Sequence, residues 1–332
     1  MSKVQFITVK KEDDGIRLDR WFQRHYPTLK NGQLQKLVRG KNIKVNGLKT
    51  ATDFRLSVGD EIRVPPLDMN KEIDNLEPKK LLKTDIAFMQ SLVIYKDEDV
   101  IVLNKPAGIS VQGGTKTTRH IDGLLDALRF DKNEKPRLVH RLDKETSGVL
   151  VLGRTANAAA ALAAAFKSRT AKKVYWAVVV GKPKLLSGKI DAPLSKNANQ
   201  DGREQMRVDF AAGQRAQTLY RVVDSLARKA SWVEFFPLTG RTHQLRVHST
   251  VLNTPIVGDV KYGGERALSL GLEYNEKMHL HARALQIAHP NPKKGILEIE
   301  AELPPHMKET FDFLGFDTEL AVNPFDYFKK GE

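Results

Sequence analysis

Two apolar runs without polar interruptions constrain the fold of this chain more than any other feature. Residues 148–153 and 174–180 consist of glycine, aliphatic and aromatic residues, and such runs are typical of strands buried on both faces of a sheet. The alanine-rich segment between them, 156–167, predicts a helix because alanine has the highest helix propensity. We therefore expect a buried central sheet with a helix packed on it. Further strands are predicted near 93–95, 100–103, 218–223, 231–237, 284–288 and 295–300, and further helices over 242–252 and 304–313.

A domain boundary is indicated by proline and mixed charge between residues 65 and 90. Pro65 and Pro66 end a strand-like stretch, and the charged segment that follows contains Pro78 and shows no apolar periodicity. We therefore predict a small N-terminal module over 16–66, a linker over 67–91, a large domain over 92–318 and a C-terminal tail over 319–332.

The N-terminal module has the sequence pattern of two helices and a small sheet. Each predicted helix carries an apolar stripe at i, i+3, i+4 spacing: Leu18, Trp21 and Phe22 in the first, and Leu34, Leu37 and Val38 in the second. Asn46-Gly47 is a strong hairpin signal. A closing strand is predicted by Ile62 and Val64, which alternate around Arg63.

The charge of the chain favours a polyanionic partner. The sequence holds 54 Lys and Arg against 40 Asp and Glu, a net charge of +14, and in residues 1–70 there are 14 against 8. An excess of this size favours nucleic acid, although a general solubility charge is the alternative. The cations of the module that we predict to contact nucleic acid are Arg17, Arg20, Lys36, Arg39, Lys41 and Lys44.

Several classes of site are disfavoured by composition. The chain has no cysteine, which removes disulfides, thiolate nucleophiles and iron–sulfur clusters and makes a structural zinc site improbable. The nine histidines show no metal-binding spacing, so we predict no metal. Apolar runs are far shorter than the roughly 20 residues that span a bilayer, and the first residues do not resemble a signal peptide. We expect a cytoplasmic protein without a membrane partner.

The segment His140-Arg141-Leu142-Asp143 lies directly before the apolar run that begins at residue 148. Polar loops at the ends of buried strands are where catalytic groups concentrate. Arg141 and Lys144 flank Asp143 and would favour its ionised form, which can act as a nucleophile or a base. From these residues alone, the alternative is an aspartate that hydrogen-bonds the backbone of a turn.

A second polar segment runs from Gly240 to Arg246 and opens a predicted helix. Free backbone N–H groups at a helix start attract anions, and Arg241 and Arg246 could clamp a phosphate or pair with a carboxylate. A solvated basic helix start is the alternative. Tyr175, near the start of a buried strand, could stack on a base, but a strand tyrosine is more often a core residue.

The motifs of the large domain follow one another in the order Asn104-Lys105-Pro106-Ala107-Gly108, His140-Arg141-Leu142-Asp143, Lys173-Val174-Tyr175, Gly240-Arg241-Thr242-His243-Gln244-Leu245-Arg246, Gly258-Asp259-x-x-Tyr262-Gly263 and Leu280-His281-Ala282. Taken in this order, they resemble the RluA-type family of RNA pseudouridine synthases over residues 92–305. In the N-terminal module, Arg17-Leu18-Asp19, the second helix ending in Arg39-Gly40, and Ile43-Lys44-Val45-Asn46-Gly47 resemble the RNA-binding module first seen in ribosomal protein S-four, over residues 16–64.

The resemblance implies an α+β fold: a mixed, mainly antiparallel sheet with a central RNA cleft, next to a small N-terminal α/β RNA-binding module. It implies that Asp143 is the essential carboxylate, that Arg246 pairs with it, and that Tyr175 stacks on uracil and assists deprotonation at carbon 5. Arg141 would fill the gap left by the flipped base, and Arg241 and His243 would contact RNA.

The reaction that the resemblance implies is the isomerisation of uridines in large-subunit ribosomal RNA. Uracil leaves its ribose and rejoins through carbon 5 without a redox change, so no cofactor is expected. The sequence leaves open whether the carboxylate attacks or assists glycal formation. We expect a monomer. The alternatives are the same chemistry on another RNA, such as transfer RNA, and a non-catalytic RNA-binding protein of ribosome assembly.

Overall fold

The computed structural model describes residues 4–26, 29, 31–67, 81–113, 119–198, 204–271, 276–321 and 323–329. The chain forms two compact units, Met1–Lys80 and Leu81–Glu332. The elements of the first unit are β1 (Gln5–Thr8), α1 (Leu18–His25), α2 (Asn31–Arg39), β2 (Lys44–Val45), β3 (Leu48–Lys49) and β4 (Glu61–Val64), with a 3-10 turn at Lys11–Asp13.

The N-terminal unit confirms both predicted helices and the predicted hairpin. Leu18, Trp21 and Phe22 are buried on one face of α1, as the apolar stripe predicts. At the hairpin turn Asn46 and Gly47 both have positive φ angles, of 50° and 73°, the conformation that tight two-residue hairpins need. The antiparallel sheet has the order β1-β4-β2-β3.

The predicted start of this module, residue 16, was too late. Strand β1 pairs with β4 along its whole length, with Phe6 opposite Arg63 and Ile7 opposite Ile62, and therefore belongs to the unit. Three of the four residues of β1 are exposed. Because so little of this strand is buried, its sequence lacks the alternating pattern by which strands are predicted.

The elements of the larger unit alternate between strands and short helices. They are α3 (Lys83–Ser91), β5 (Val93–Lys96), β6 (Val100–Lys105), α4 (Ile121–Leu124), β7 (Arg137–Leu138), β8 (Ser147–Gly153), α5 (Ala156–Ser168), β9 (Lys172–Val180), β10 (Ser187–Asp191), β11 (Leu194–Ala198), β12 (Glu204–Val208), β13 (Gln217–Leu226), β14 (Ala230–Pro237), α6 (Gln244–Val251), α7 (Val260–Gly263), β15 (Leu280–Ala288), β16 (Ile296–Glu300) and α8 (Pro305–Leu314). Turns of 3-10 helix lie at Leu125–Leu128, Gly264–Leu268, Pro292–Lys294, Thr318–Leu320 and Asp326–Lys329.

A ten-stranded sheet organises this unit, with the order β10-β13-β14-β9-β15-β8-β6-β5, with β16 on β15 and β7 on β8. Strands β15 and β8 pair in parallel, and the other described pairs of this sheet are antiparallel. Every residue of β8 is buried, and β9 is buried beyond its first residues. The two apolar runs therefore lie at the centre of a mixed, mainly antiparallel sheet. Helix α5, between them in sequence, confirms the alanine-rich prediction.

The predicted linker and tail were drawn too wide. Residues 68–80 lie outside the described residues, but α3 falls inside the predicted linker and buries Met89 in a core cluster with Ile101. The segment that was expected to be a tail packs on the sheet. Phe325 is buried, and the Tyr327 ring stacks on Phe236 with their centroids 4.4 Å apart. These contacts join distant residues, so neither segment shows them in its own periodicity.

No helix of the described residues has the length and apolar character needed to cross a membrane.

Candidate active site

Asp143 lies in a turn between β7 and β8, directly before the buried central strand. The backbone N–H of Thr146 donates to the Asp143 carbonyl across this turn (3.2 Å). The side chain of Asp143 is 31% exposed, so its carboxylate borders the cleft while Leu142 before it and Thr146 after it are buried. A rigid strand start thus presents a partly solvated carboxylate.

The start of β8 is fixed by its parallel neighbour β15. Gly148 has φ +107°, and a Cβ there would lie 2.2 Å from the carbonyl oxygen of Ala282, so no larger residue fits. Beside it, the Ser147 hydroxyl lies 2.8 Å from His281 Nδ1, and His281 Nε2 lies 3.1 Å from the carbonyl of Ala301. Burial lowers the pKa of His281 to about 4. The ring is therefore neutral, with Nε2 donating to the carbonyl and Nδ1 accepting from Ser147.

A buried lysine supports the Asp143 turn from below. Lys105 is fully buried, and its ammonium donates to the carbonyls of Pro106 (2.8 Å), Ile109 (2.9 Å) and Lys144 (3.1 Å). Burial lowers the pKa of Lys105 to about 8, against the opposing influence of the Glu145 and Asp143 charges. Lys144, the residue after Asp143, is therefore bound to the Asn104–Gly108 motif through Lys105. The sequence alone did not suggest this role for Lys105.

Tyr175 forms the floor of the cleft from the centre of the sheet. It lies on β9 between Phe235 of β14 and Ala282 of β15, and its half-buried ring faces the same space as Asp143. Burial, and then the negative charge of Asp143, raise the pKa of the Tyr175 hydroxyl. At neutral pH this side chain is therefore a phenol.

The opposite wall, residues 239–246, is held by one buried glutamine. Gln244 Oε1 accepts from the Thr239 hydroxyl (2.7 Å) and from the Arg241 N–H (3.0 Å). Its Nε2 donates to the Gln217 carbonyl and to the Thr218 hydroxyl, both at 2.9 Å. These bonds use both donors and both acceptor positions of the amide. The segment that carries Arg241 and Arg246, a loop followed by the start of α6, is therefore fixed to β13.

The expected ion pair between Arg246 and Asp143 is not formed. Arg246 instead makes a bidentate pair with Asp259, at 2.7 and 2.6 Å, and both side chains are buried. Burial opposes the charge of Arg246, but the bonds to Asp259, and then the charges of Asp259 and Asp143, raise its pKa. Asp143 thus experiences the arginine as a nearby charge. The sequence places Asp259 thirteen positions further along the chain, so only the fold reveals this partner.

His243 is the side chain of this wall that reaches Asp143. It caps α6 in a left-handed conformation (φ 52°), and its Nε2 lies 3.8 Å from Asp143 Oδ2. Its Nδ1 lies 2.6 Å from the Tyr262 hydroxyl, and the Arg246 guanidinium lies over the Tyr262 ring at 4.9 Å. Asp259 and Tyr262 both belong to the Gly258–Gly263 motif, which sequence reasoning quoted without assigning either residue a role.

The cleft is small and strongly cationic. Its volume is about 130 Å³, close to that of an engineered cavity of roughly 150 Å³ that admits benzene, so one six-membered ring fits. Among its described lining residues Asp143 is the acidic one, surrounded by Arg141, Lys173, Arg241 and Arg246. Arg141 is exposed at this cleft, whereas Arg241 Nε donates to the Arg215 carbonyl (3.2 Å). An anionic strand carrying one extruded base is complementary to such a site.

The six cations predicted to bind RNA in the N-terminal unit lie on its surface. Five of them are exposed and Lys44 is half-buried. Arg17 pairs with Asp19 at 2.6 Å, and Arg20 donates to Gln23. Both of these contacts lie on the surface, so they hold no buried group in place.

A group with metal-ligand spacing occurs away from the cleft, formed by Asp97, Asp99 and His289. The Asp97 carboxylate already has two protein partners: the Lys294 ammonium lies 2.7 Å from it, and His289 Nε2 lies 2.8 Å from it. The charge of Asp97 is therefore compensated by protein groups.

Comparison with known proteins decides the family. The family described as RNA pseudouridylate synthase matches residues 99–250. The ribosomal large subunit pseudouridine synthase C of Vibrio cholerae is 31% identical over 93% of this chain and 96% of its own length. This chain belongs to the RNA pseudouridine synthases. The mitochondrial RNA pseudouridine synthase 4 of Arabidopsis thaliana is also similar, at 35% identity over 92% of this chain and 81% of its own.

The structure of this pseudouridine synthase agrees with a solved relative. The human RNA pseudouridylate synthase domain containing 4 has a TM-score of 0.58 and 31% identity, and the match covers 70% of this chain and 97% of that chain. The expected RluA-type membership and α+β pseudouridine synthase fold are thereby confirmed. The chain is an RNA-modifying isomerase, and several similar relatives share the name ribosomal large subunit pseudouridine synthase C.

Proposed function

We propose that this enzyme converts uridines of large-subunit ribosomal RNA to pseudouridine in the cytoplasm, as a monomer, with Asp143 as the catalytic carboxylate. The observation that carries the catalytic part is the position of Asp143, the acidic group of a cationic cleft sized for one base. The choice of RNA is supported by the relatives named for the large ribosomal subunit. The reaction breaks the bond from N1 to C1′, forms one from C5 to C1′, and exchanges protons without a change of oxidation state.

In the proposed mechanism Asp143 acts on the nucleotide while Tyr175 stacks on its base. Extruding a base costs a few kcal/mol, and stacking on an aromatic ring contributes roughly 1–3 kcal/mol. Stacking requires only the ring, which faces the cleft. Deprotonation of carbon 5 by Tyr175 would require the phenolate, which the raised pKa of this hydroxyl disfavours. Stacking is therefore the better supported of its two predicted roles.

The cleft cations would act on the rest of the RNA. Arg141, exposed at the cleft, would occupy the gap left by the base, and Arg241 would contact a phosphate. Arg246, already bound to Asp259, would contribute a positive charge to the cleft without contacting Asp143. The surface cations of the N-terminal unit would add salt-dependent affinity.

The proposal is tested by mapping pseudouridine in all RNA of a strain lacking this gene, with and without a plasmid that restores it. We expect specific sites in large-subunit ribosomal RNA to lose pseudouridine and to regain it on restoration. If pseudouridine were lost only from transfer RNA, the assignment of ribosomal RNA as the substrate would be wrong. A strain that keeps every pseudouridine but accumulates unassembled ribosomal subunits would favour the non-catalytic alternative.

A further inference from the structure

We propose that His243 is a positioning residue for the Asp143 carboxylate and that Tyr262 holds the His243 ring in the tautomer this task requires. The inference rests on the proposed role of Asp143 and extends it. It replaces the expectation that His243 contacts RNA. The geometry behind it is a chain of three side chains from separate parts of the fold, in which the imidazole lies between the Tyr262 hydroxyl (2.6 Å) and Asp143 (3.8 Å).

The imidazole is neutral in these surroundings. The charged and titratable groups that act on it are Asp143 from the turn before β8, Arg246 on α6, Lys261 on α7 and Asp259 before α7, with Tyr262 in contact. Burial is the largest influence and lowers the pKa of His243. The negative charges of Asp143 and Asp259 raise it, Arg246 and Lys261 lower it, and the net result is a lowered pKa. A neutral ring carries a proton on one nitrogen only.

The proton belongs on Nε2. If it were on Nδ1, the lone pair of Nε2 would face the negative Asp143 carboxylate and the two would repel. With the proton on Nε2, the N–H is on the nitrogen that lies 3.8 Å from Asp143 Oδ2, and Nδ1 accepts from the Tyr262 hydroxyl. The hydroxyl oxygen already accepts from the Met206 N–H (3.3 Å). Its own hydrogen is therefore the group that it offers to Nδ1. The second partner of a histidine commonly selects the tautomer in this way.

The side chain has little capacity left for RNA. Its two nitrogens face protein groups, and its side chain is 21% exposed. Because Asp143 is partly solvated and its carboxylate can rotate, an N–H donor on the Oδ2 side restricts that rotation and leaves Oδ1 for the nucleotide. At 3.8 Å the contact is longer than a hydrogen bond, and such contacts commonly tighten when substrate binds. A misplacement of about 1 Å can cost around 100-fold in rate.

The test compares five enzymes: the wild type, three single variants and the double variant Tyr262→Phe/His243→Leu. Each is assayed in saturating excess by tritium release from total RNA of a strain lacking this gene, labelled at carbon 5 of uracil. RNA affinity is measured in parallel by filter binding. The variants are Tyr262→Phe, which keeps the ring beneath Arg246 but removes the hydroxyl, His243→Gln, which can keep a donor near the Nε2 position, and His243→Leu, which cannot. Gln and Leu meet the same left-handed backbone, so their difference reports the donor. Thermal melting checks that each variant is folded.

We expect His243→Leu and Tyr262→Phe to slow release about 10- to 100-fold with affinity within twofold, and His243→Gln to recover most of the rate. The double variant should be no slower than His243→Leu alone, since Tyr262 acts through His243. Equal loss in Gln and Leu, a normal rate for Tyr262→Phe, or a change confined to affinity would each overturn the inference. Because total RNA is the substrate, a wrong RNA assignment changes only which fraction releases tritium. A wild-type enzyme inactive on every fraction would instead refute the proposed function.

Discussion

The two units of this protein use positive charge in opposite ways. In the N-terminal unit, Arg17, Lys36 and Arg39 are exposed, and the ion pair of Arg17 joins it to a neighbour two residues away. In the catalytic unit, Lys105 and Arg246 are buried, and each has several bonds of defined geometry. The same residue types thus serve at a solvated surface in one unit and as internal supports in the other.

The physical difference is desolvation. An exposed ion pair contributes roughly 0–1 kcal/mol and is weakened by salt, so surface cations keep their charge available for a mobile polyanion. Removing one member of a buried pair costs about 3–5 kcal/mol because the remaining charge is uncompensated. Replacing a buried cation therefore lowers the stability of the fold, and a buried cation fixes the position of the groups that it binds. From this comparison we expect changes in the catalytic unit to alter rate or folding, and changes in the N-terminal unit to alter affinity.

The largest effect is expected from Asp143→Asn. The amide keeps the size of the side chain but can neither attack nor accept a proton as a carboxylate does. We expect the single-turnover rate to fall by at least ~1,000-fold while affinity for substrate RNA stays within about threefold, since phosphate contacts dominate binding. Tritium release and filter binding measure the two quantities.

The matched control is Asp122→Asn, which changes a half-buried aspartate of α4 outside the cleft lining. Its rate and affinity should equal those of the wild type. If Asp143→Asn weakened RNA binding as much as it slowed the reaction, the proposed division would be wrong. In that division the catalytic unit determines the rate and the N-terminal unit determines the affinity.

A second effect is the sensitivity of the catalytic unit to acid. Burial lowers the pKa of His279 and of His281 to about 4, from the 6.5 of an exposed imidazole. Between about pH 6.5 and pH 4 the unfolded chain binds protons that the folded chain does not, so the free energy of unfolding falls as the pH falls. Each ring contributes a loss of about 3 kcal/mol across this window.

Urea unfolding at pH 7, 5.5 and 4.5 measures this dependence in the wild type and in His281→Gln. The glutamine does not titrate, so the decline in its free energy of unfolding between pH 7 and pH 4.5 should be smaller by up to about 3 kcal/mol. An identical decline would show that His281 is not held neutral. His279 and His281 both lie in the catalytic unit, so this acid dependence should belong to that unit.

Sequence reasoning succeeded where the physical cause is local. The apolar runs of β8 and β9, the alanines of α5 and the Asn46-Gly47 turn each carry their pattern within a few residues. It failed for β1, α3 and the strands β10 to β12, which are short or only partly buried and so lack a clear period. These elements are stabilised mainly by contacts with distant parts of the chain.

The same limit applies to the candidate site. Asp143 was identified through its ordered motifs, because its immediate neighbourhood also fitted an ordinary turn. The predicted partner of Arg246 was wrong. The sequence contains two candidate carboxylates, Asp143 and Asp259, but it does not give their distances from the guanidinium. Lys105 was named only as part of a motif, and its burial next to the Asp143 turn depends on the fold of the whole unit. Pairing and burial are tertiary properties, so residue types alone cannot assign them.

The smallest effect is expected from neutralising the surface cations of the N-terminal unit. Lys36→Ala and Arg39→Ala should each lower RNA affinity by less than about tenfold and reduce the salt slope of binding by roughly one for each phosphate that is no longer neutralised. The single-turnover rate at saturation should not change. Lys293→Ala, an exposed lysine of the other unit, is the control and should leave the slope unaltered. A slower saturated rate in either variant would mean that the surface charges also position the RNA for reaction, and the division between the two units would then be incomplete.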